Sequence, residues 1–286
     1  MHEAAPIAAP GDAVARESTA SRLERGSFHA TLGLLCGFGI ILLIAPTVVV
    51  LITSLTDSPS LKFPPPGYSL QWYAALWHDS PEIVDAAILS FKVAAIATVS
   101  SVLLAGSAAL ALARRTETWA RVLDSIFMSP LMLPALALGL ALLALFNLLG
   151  AGLSMWTLVI GHIAITTPYV LRTTIASYVQ LDPQILESAH SLGAKPFFAF
   201  RTITLPLIAP GVAAGAFIAF MASFDNVAVS LFLSDARSEV LPIRLWTMIE
   251  TNLDVRAAAV SGFLVTTTAV AALVMERIVG LSSHIR

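Results

Sequence analysis

The sequence predicts an all-α, polytopic membrane protein with six transmembrane helices. Three observations carry that expectation. Of its 286 residues 57% are hydrophobic and only 12% charged, with a mean hydropathy of +0.84, too little charge to clothe a soluble globule. Six apolar stretches reach the roughly 20 residues needed to cross a hydrocarbon core of about 30 Å. Those stretches are continuous and Leu/Ala-rich, the pattern of helices that satisfy their own backbone polar groups, where barrel strands would alternate. The net charge of -2 leaves no basic footprint for nucleic acid.

The first stretch, near 29–54, follows residues 1–27, which are rich in Ala, Ser, Pro and charge and are expected to form a mobile tail. It is too long for a signal-peptide core and lacks a clear cleavage site, so it is read as retained. Cys36 lies inside it as the single cysteine, which excludes an intramolecular disulfide and suits a small buried side chain. The other stretches fall near 86–113, 124–149, 154–178, 207–233 and 257–279. Pro130 and Pro134 in the third, Pro168 in the fourth, and Pro206 and Pro210 at the start of the fifth each remove an intrahelical hydrogen bond and invite a bend.

Basic residues set the expected orientation. Arg16, Arg22 and Arg25 precede the first span, Arg114, Arg115 and Arg121 join spans two and three, Lys195 and Arg201 join four and five, and Arg277 and Arg286 follow six. The opposite side holds Lys62, Arg237, Arg244 and Arg256 spread over longer loops. The positive-inside rule therefore places both termini and the 179–206 loop in the cytoplasm.

That loop has its own grammar. Asp182 before Pro183 predicts a capped helix start, and Ile185, Leu186, Ala189 and Leu192 recur at helical spacing. Gly193 allows a left-handed exit and Pro196 prevents straight continuation. A second helical piece through Phe197, Phe198, Phe200 and Ile203 leads to Leu205 and Pro206. The series Glu187-Ser188-Ala189, Gly193 and Ile203-Thr204-Leu205-Pro206 resembles the EAA loop of binding-protein-dependent ABC importer permeases of the type I fold. The resemblance implies that Glu187 and Gly193 shape the loop. It also implies that Ala189, His190, Leu192 and the 197–200 aromatics, Phe197 among them, dock into an ATPase subunit. Ser188 stands where Ala is commonest, a small-for-small change.

The chain itself carries no motor and is not read as an enzyme. Lys62, Lys92 and Lys195 are the only lysines and none sits in a phosphate-binding loop. No His/Cys/Asp/Glu set has metal-ligand spacing, and no Gly-x-Ser-x-Gly occurs. The resemblance therefore implies ATP and Mg bound by two copies of a separate ATPase, a second similar permease, and a periplasmic or surface solute-binding protein. The setting would be the lipid of a bacterial inner membrane.

The chain is most similar in flavour to the spermidine/putrescine permease group. The similarity lies in Phe63-Pro64-Pro65-Pro66-Gly67-Tyr68-Ser69 with Trp72-Tyr73, Ser90-Phe91-Lys92-Val93-Ala94, Ser223-Phe224-Asp225-Asn226, and Glu239-Val240-Leu241-Pro242-Ile243. Members with similar loops are assigned to opines, thiamine-like compounds, aminoethylphosphonate or ferric iron, so these are alternative cargoes. Asp225, placed near the middle of span five, is the candidate counter-charge on a solute path. Phe224 is the candidate for cation–π contact and Asn226 for hydrogen bonding.

Lesser expectations attach to other groups. Lys92 suits snorkelling, Arg172 pairing with a carboxylate, and His162 a hydrogen-bonded core role. Gly211, Ala214, Gly215 and Ala219 suit close packing, expected against the second permease. The outer loops, 55–85 and 234–255, are expected to receive the binding protein, with Asp235, Arg237, Glu239 and Arg244 steering it. A secondary transporter driven by an ion gradient would need a relay of intramembrane acids or histidines, and only Asp225 lies well inside a span.

Overall fold

A computed structural model describes residues 19–279 apart from Ala236, with side chains from 27 to 277. Residues 1–49 and 50–286 form two units. The first is occupied by helix α1 (Thr19–Thr53), which contains Pro46 and is apolar all round from Phe28 onward. It begins well before the expected start near 29, so only residues 1–18 of the expected tail remain, and they lie outside the described residues. Cys36, expected to be buried, is exposed.

The second unit contains α2 (Gln71–His78), α3 (Pro81–Leu112), α4 (Thr118–Met132), α5 (Ala135–Leu148) and α6 (Met155–Val179). It continues with α7 (Pro183–Ser191), α8 (Pro196–Ala199), α9 (Leu205–Phe224), α10 (Ala228–Leu233), α11 (Leu241–Asn252) and α12 (Val255–Val279). Five segments are long and apolar enough to cross a membrane: α1, α3, α6, α9 with its lead-in from Pro196, and α12. Counted together, α4 and α5 would make a sixth, and they meet at a bend of 107°. The bend expected at the prolines of the third stretch is thus present, at the Leu133–Pro134 step, and it breaks the helix outright. Leu133 adopts an extended conformation (ψ 144°) ahead of Pro134, as the residue before a proline prefers.

Helix α6 is the hub. Ser154 and Thr157 open it with a capping box, the Thr157 amide donating to Ser154 Oγ at 3.3 Å and the Ser154 amide to Thr157 Oγ1 at 2.9 Å. Pro168 lies inside it without interrupting it. Against α6, α3 turns inward a fully buried row of small residues, Ala94, Ala97, Ser101, Ala105 and Ala109, at the spacing of one helical face. Ser101 Oγ lies 2.7 Å from Thr166 Oγ1 on α6.

Helix α9 presses on α6 from the other side. A Cβ at Gly211 would collide with Ser177 Oγ, and one at Gly215 with Thr173 Oγ1. Gly211 and Gly215, two of the small residues expected to meet a second permease, are therefore packed against α6 of this chain. Absence of side chains lets two backbones approach closely.

The end of the unit remote from the 179–206 loop is tied by polar bonds. The Leu241 amide donates to Ser90 Oγ at 2.8 Å, pinning α11 to α3. Arg244 lies 3.5 Å from both Glu82 and Glu239, and Arg256 lies 2.7 Å from Asp254 and 3.7 Å from Glu82. Glu239 and Arg244, expected as free rim charges, are thus engaged in holding α3, α11 and α12 together. Asp235 is likewise turned into its own turn, accepting from the Arg237 amide at 3.0 Å and from Ser238 Oγ at 2.5 Å.

Candidate functional site

Two regions gather the residues singled out above. The first is the 179–206 loop. Asp182 Oδ1 accepts from the Gln184 amide at 2.9 Å, and Pro183 occupies the first turn of α7, so an otherwise orphaned donor at the helix start is satisfied. At the other end Gly193 takes φ +85°, and the Ala194 amide returns to the Ala189 carbonyl at 3.0 Å. His190 Nδ1 lies 3.1 Å from the Ala194 carbonyl. A carbonyl only accepts, so Nδ1 carries the hydrogen and the ring closes the turn.

The chain then re-enters a helix at Pro196, and a π-helical turn over Phe200–Thr204 precedes α9, with the Leu205 amide reaching the Phe200 carbonyl. Pro206 supplies the reason: without an N–H it cannot bond the Thr202 carbonyl, and the wider turn accommodates its ring.

This geometry sorts the expected docking residues. Leu192 is 89% and Phe197 74% exposed, with Phe198, Ser188 and His190 also exposed. Ala189 is buried at the base of the turn. Glu187 is exposed; among the described residues its carboxylate makes no hydrogen bond or ion pair, and its carbonyl accepts from Ser191 Oγ at 2.9 Å. The bend is therefore held by Gly193, His190 and backbone bonds. Ala189, Leu192, Gly193, Ala194, Lys195, Phe198 and Ile203 line a concavity of about 520 Å³ between the two helical pieces. Leu205 and Pro206 are exposed at the start of α9.

A residue not singled out in the sequence positions this loop. Arg114, just beyond α3, donates to the Leu181 carbonyl and, at 3.4 Å, to the Tyr178 carbonyl. Its guanidinium lies 5.1 Å from the centroid of the Tyr178 ring. These carbonyls belong to the carboxyl end of α6, where helical partners run out and a cation is favoured. The arginine thus clamps the entrance of the loop to α3. Arg172 braces the same helix from the side, 3.0 Å from Asp124 on α4.

The second region surrounds Asp225. The fifth span does not run to 233 as one helix: α9 ends at Phe224, and α10 starts at Ala228. Asp225 is therefore corrected from mid-helix to the carboxyl end of α9. Asn226 Oδ1 accepts from the Val229 amide at 2.8 Å and starts α10, the competition with the helical ladder that short polar side chains offer. Asp225 and Asn226 open onto a concavity of about 590 Å³ whose other lining residues include Pro130, Leu133, Tyr169 and Phe217. Two chain breaks, at Leu133–Pro134 and at 225–227, thus face one space.

Phe224 does not share that space. It turns to the other side of α9, stacked on Phe220 at 5.9 Å, and lines a separate apolar groove with Phe91 and Phe263. Successive residues on a helix point about 100° apart. Tyr169, which no spacing rule indicated, occupies the place expected for the aromatic.

Broken helices thus surround a mainly apolar concavity that also presents Asp225, Asn226 and Tyr169, and an amphipathic loop extends from them, the architecture of a membrane permease. Residues 101–282 match the family described as binding-protein-dependent transport system inner membrane component, and the chain belongs to that family. It is 27% identical over 237 residues to the spermidine/putrescine transport system permease protein PotC of Haemophilus influenzae, covering 83% of this chain and 92% of that one. It is 30% identical over 217 residues to PotC of Escherichia coli, covering 76% and 82%. It is 32% identical over 209 residues to the molybdenum transport system permease protein ModB of Mycobacterium bovis, covering 68% and 79%.

Among solved structures, a bacterial ABC transporter involved in the import of the polysaccharide alginate superposes with a TM-score of 0.64 at 14% identity, covering 92% of this chain and 97% of that one. The MetNI methionine ABC transporter follows this fold with a TM-score of 0.55 at 14% identity, covering 70% and 95%. This protein is a permease subunit of a binding-protein-dependent transport system, a multi-pass component of the bacterial inner membrane, and it shares the fold of ABC importer membrane subunits.

Proposed function

We propose that the chain forms half of the membrane path of an ATP-driven importer for small organic cations of the polyamine class. The observation that carries the solute class is Asp225. Its carboxylate lines the concavity beside Asn226 and Tyr169, no Lys or Arg lines that space, and the carboxyl end of α9 adds negative potential. A cation is attracted there, and an oxyanion is opposed. The relatives named for spermidine and putrescine support the same class.

In this reading the termini and the 179–206 loop are cytoplasmic. Leu192, Phe197 and Phe198 dock on one of two ATPase subunits, which hold ATP and Mg. A second similar permease completes the path, and a solute-binding protein delivers cargo to the opposite face. Closure of the motor moves α7 and α8, and Arg114 with the π turn passes that motion to α3, α6 and α9.

The test is uptake of labelled putrescine and spermidine by cells carrying the intact transport system. Asp225→Asn is expected to lower uptake about tenfold while the chain stays at normal abundance in the membrane. Unchanged uptake would remove the counter-charge role. Uptake that survives ATP depletion and collapses with an ionophore would favour an ion-driven transporter.

A further inference from the structure

His162 lies on α6 with 1% of its surface exposed. Its Nδ1 is 2.7 Å from Ser223 Oγ, at the end of α9, and its Nε2 is 3.1 Å from Ser230 Oγ, on α10. The two serines stand on either side of the break that carries Asp225 and Asn226. A neutral imidazole donates from one nitrogen and accepts at the other, and a serine hydroxyl does either, so the arrangement is fully satisfied. Packing alone would not call for it, since an apolar side chain of similar size fills such a site without desolvating polar atoms.

The surroundings leave little freedom. At the neighbouring Gly161 a Cβ would collide with Leu233 Cδ1, and at Gly139 on α5 a Cβ would lie 2.9 Å from the Ala228 carbonyl oxygen. Helix α10 is thus wedged between α5 and α6, and His162 is the polar link from that wedge back to α9. Its own carbonyl accepts from Thr166 Oγ1 at 2.8 Å, and Thr166 meets Ser101 on α3.

We propose that His162 is a positioning residue that holds α9 and α10 in register across the break and so fixes Asp225 and Asn226 in the concavity. The inference deepens the reading of Asp225 as part of the solute path, and its test reads labelling at position 225, with uptake used only to separate it from that reading. The full chain is kept in its native membranes with Cys36→Ser, which removes the single cysteine, and Asp225→Cys. The modification rate is measured with a trimethylammonium methanethiosulfonate and with a neutral methanethiosulfonate of similar size. His162→Leu is expected to change the rate at position 225 about fivefold, the scale of one lost hydrogen bond, without changing it at a control Thr116→Cys on the exposed connector between α3 and α4.

Ser223→Ala and Ser230→Ala are expected to give intermediate shifts. His162→Gln, which retains a donor and an acceptor, is expected to restore the rate. Unchanged labelling in His162→Leu overturns the proposal; if that variant fails to accumulate, unchanged labelling in both serine variants does so. Altered labelling together with normal putrescine uptake by Asp225→Asn sinks the solute reading and leaves the positioning role standing.

Discussion

At Gly193 the backbone occupies the left-handed region with φ +85° and open space around the missing Cβ. A valine there fits sterically and is strained conformationally, by about 1–2 kcal/mol. Gly193→Val is therefore expected to enter the membrane at normal abundance and to lose uptake, as the turn between α7 and α8 reorients; normal uptake would show that this turn is not a coupling element. Arg114 gives a second test, because a lysine keeps the charge but cannot reach two carbonyls and stack on Tyr178 together. Both Arg114→Ala and Arg114→Lys should lower solute moved per ATP hydrolysed, and full rescue by lysine would reduce the clamp to simple charge. The glycine was legible because a short motif and a turn rule agree on it. Arg114 entered the sequence reading only as one of several positive charges, since the carbonyls it binds are 64 and 67 residues away. The same distance in sequence hid the pairing of His162 with Ser223 and Ser230, although His162 itself read as a hydrogen-bonded core group.

Among elements, α6 and α9 meet closely across the glycines of α9. Gly215→Leu must displace Thr173 and crowd the Val170 Cα, 3.2 Å from the added Cβ. It is expected to destabilise by about 1–3 kcal/mol, seen as a lower midpoint in thermal unfolding of the detergent-solubilised protein. Gly106→Ala on α3, where an added Cβ meets nothing within 4 Å, should be neutral or slightly stabilising; equal effects of the two would sink the packing account. The apolar runs were legible because membrane helices need length and hydrophobicity over a long window. The breaks were not, since such a window averages through Leu133–Pro134 and through Asp225–Val227 as if the chain were straight. Prolines marked where a bend was permitted, and tertiary contacts decided which ones bend: Pro168 leaves α6 whole, and Pro134 turns the chain by 107°.

For the whole molecule, the charged cluster at the end remote from the 179–206 loop links α3, α11 and α12 and predicts a pH dependence. Burial of Asp254 would raise its pKa, yet the hydrogen bonds and charge of Arg256 outweigh it and hold the carboxyl below the ordinary 3.8. Its stabilisation is thus present above that value and is lost as pH falls through the lower folded one. The thermal midpoint is expected to drop as pH falls below the ordinary carboxylate range, and Asp254→Asn to flatten that part of the profile; an unchanged slope in the variant would exclude this carboxylate as the source. A different consequence follows from the turn between α4 and α5. The 15 residues of α4 rise only about 22 Å, short of the roughly 30 Å of hydrocarbon, and the last carbonyls of α4 end where the chain turns aside. Acyl chains offer those carbonyls no donor, and each one left bare would cost several kcal/mol. Leu131 and Leu133 beside that turn line the concavity shared with Asp225, where water can serve the freed groups that lipid could not.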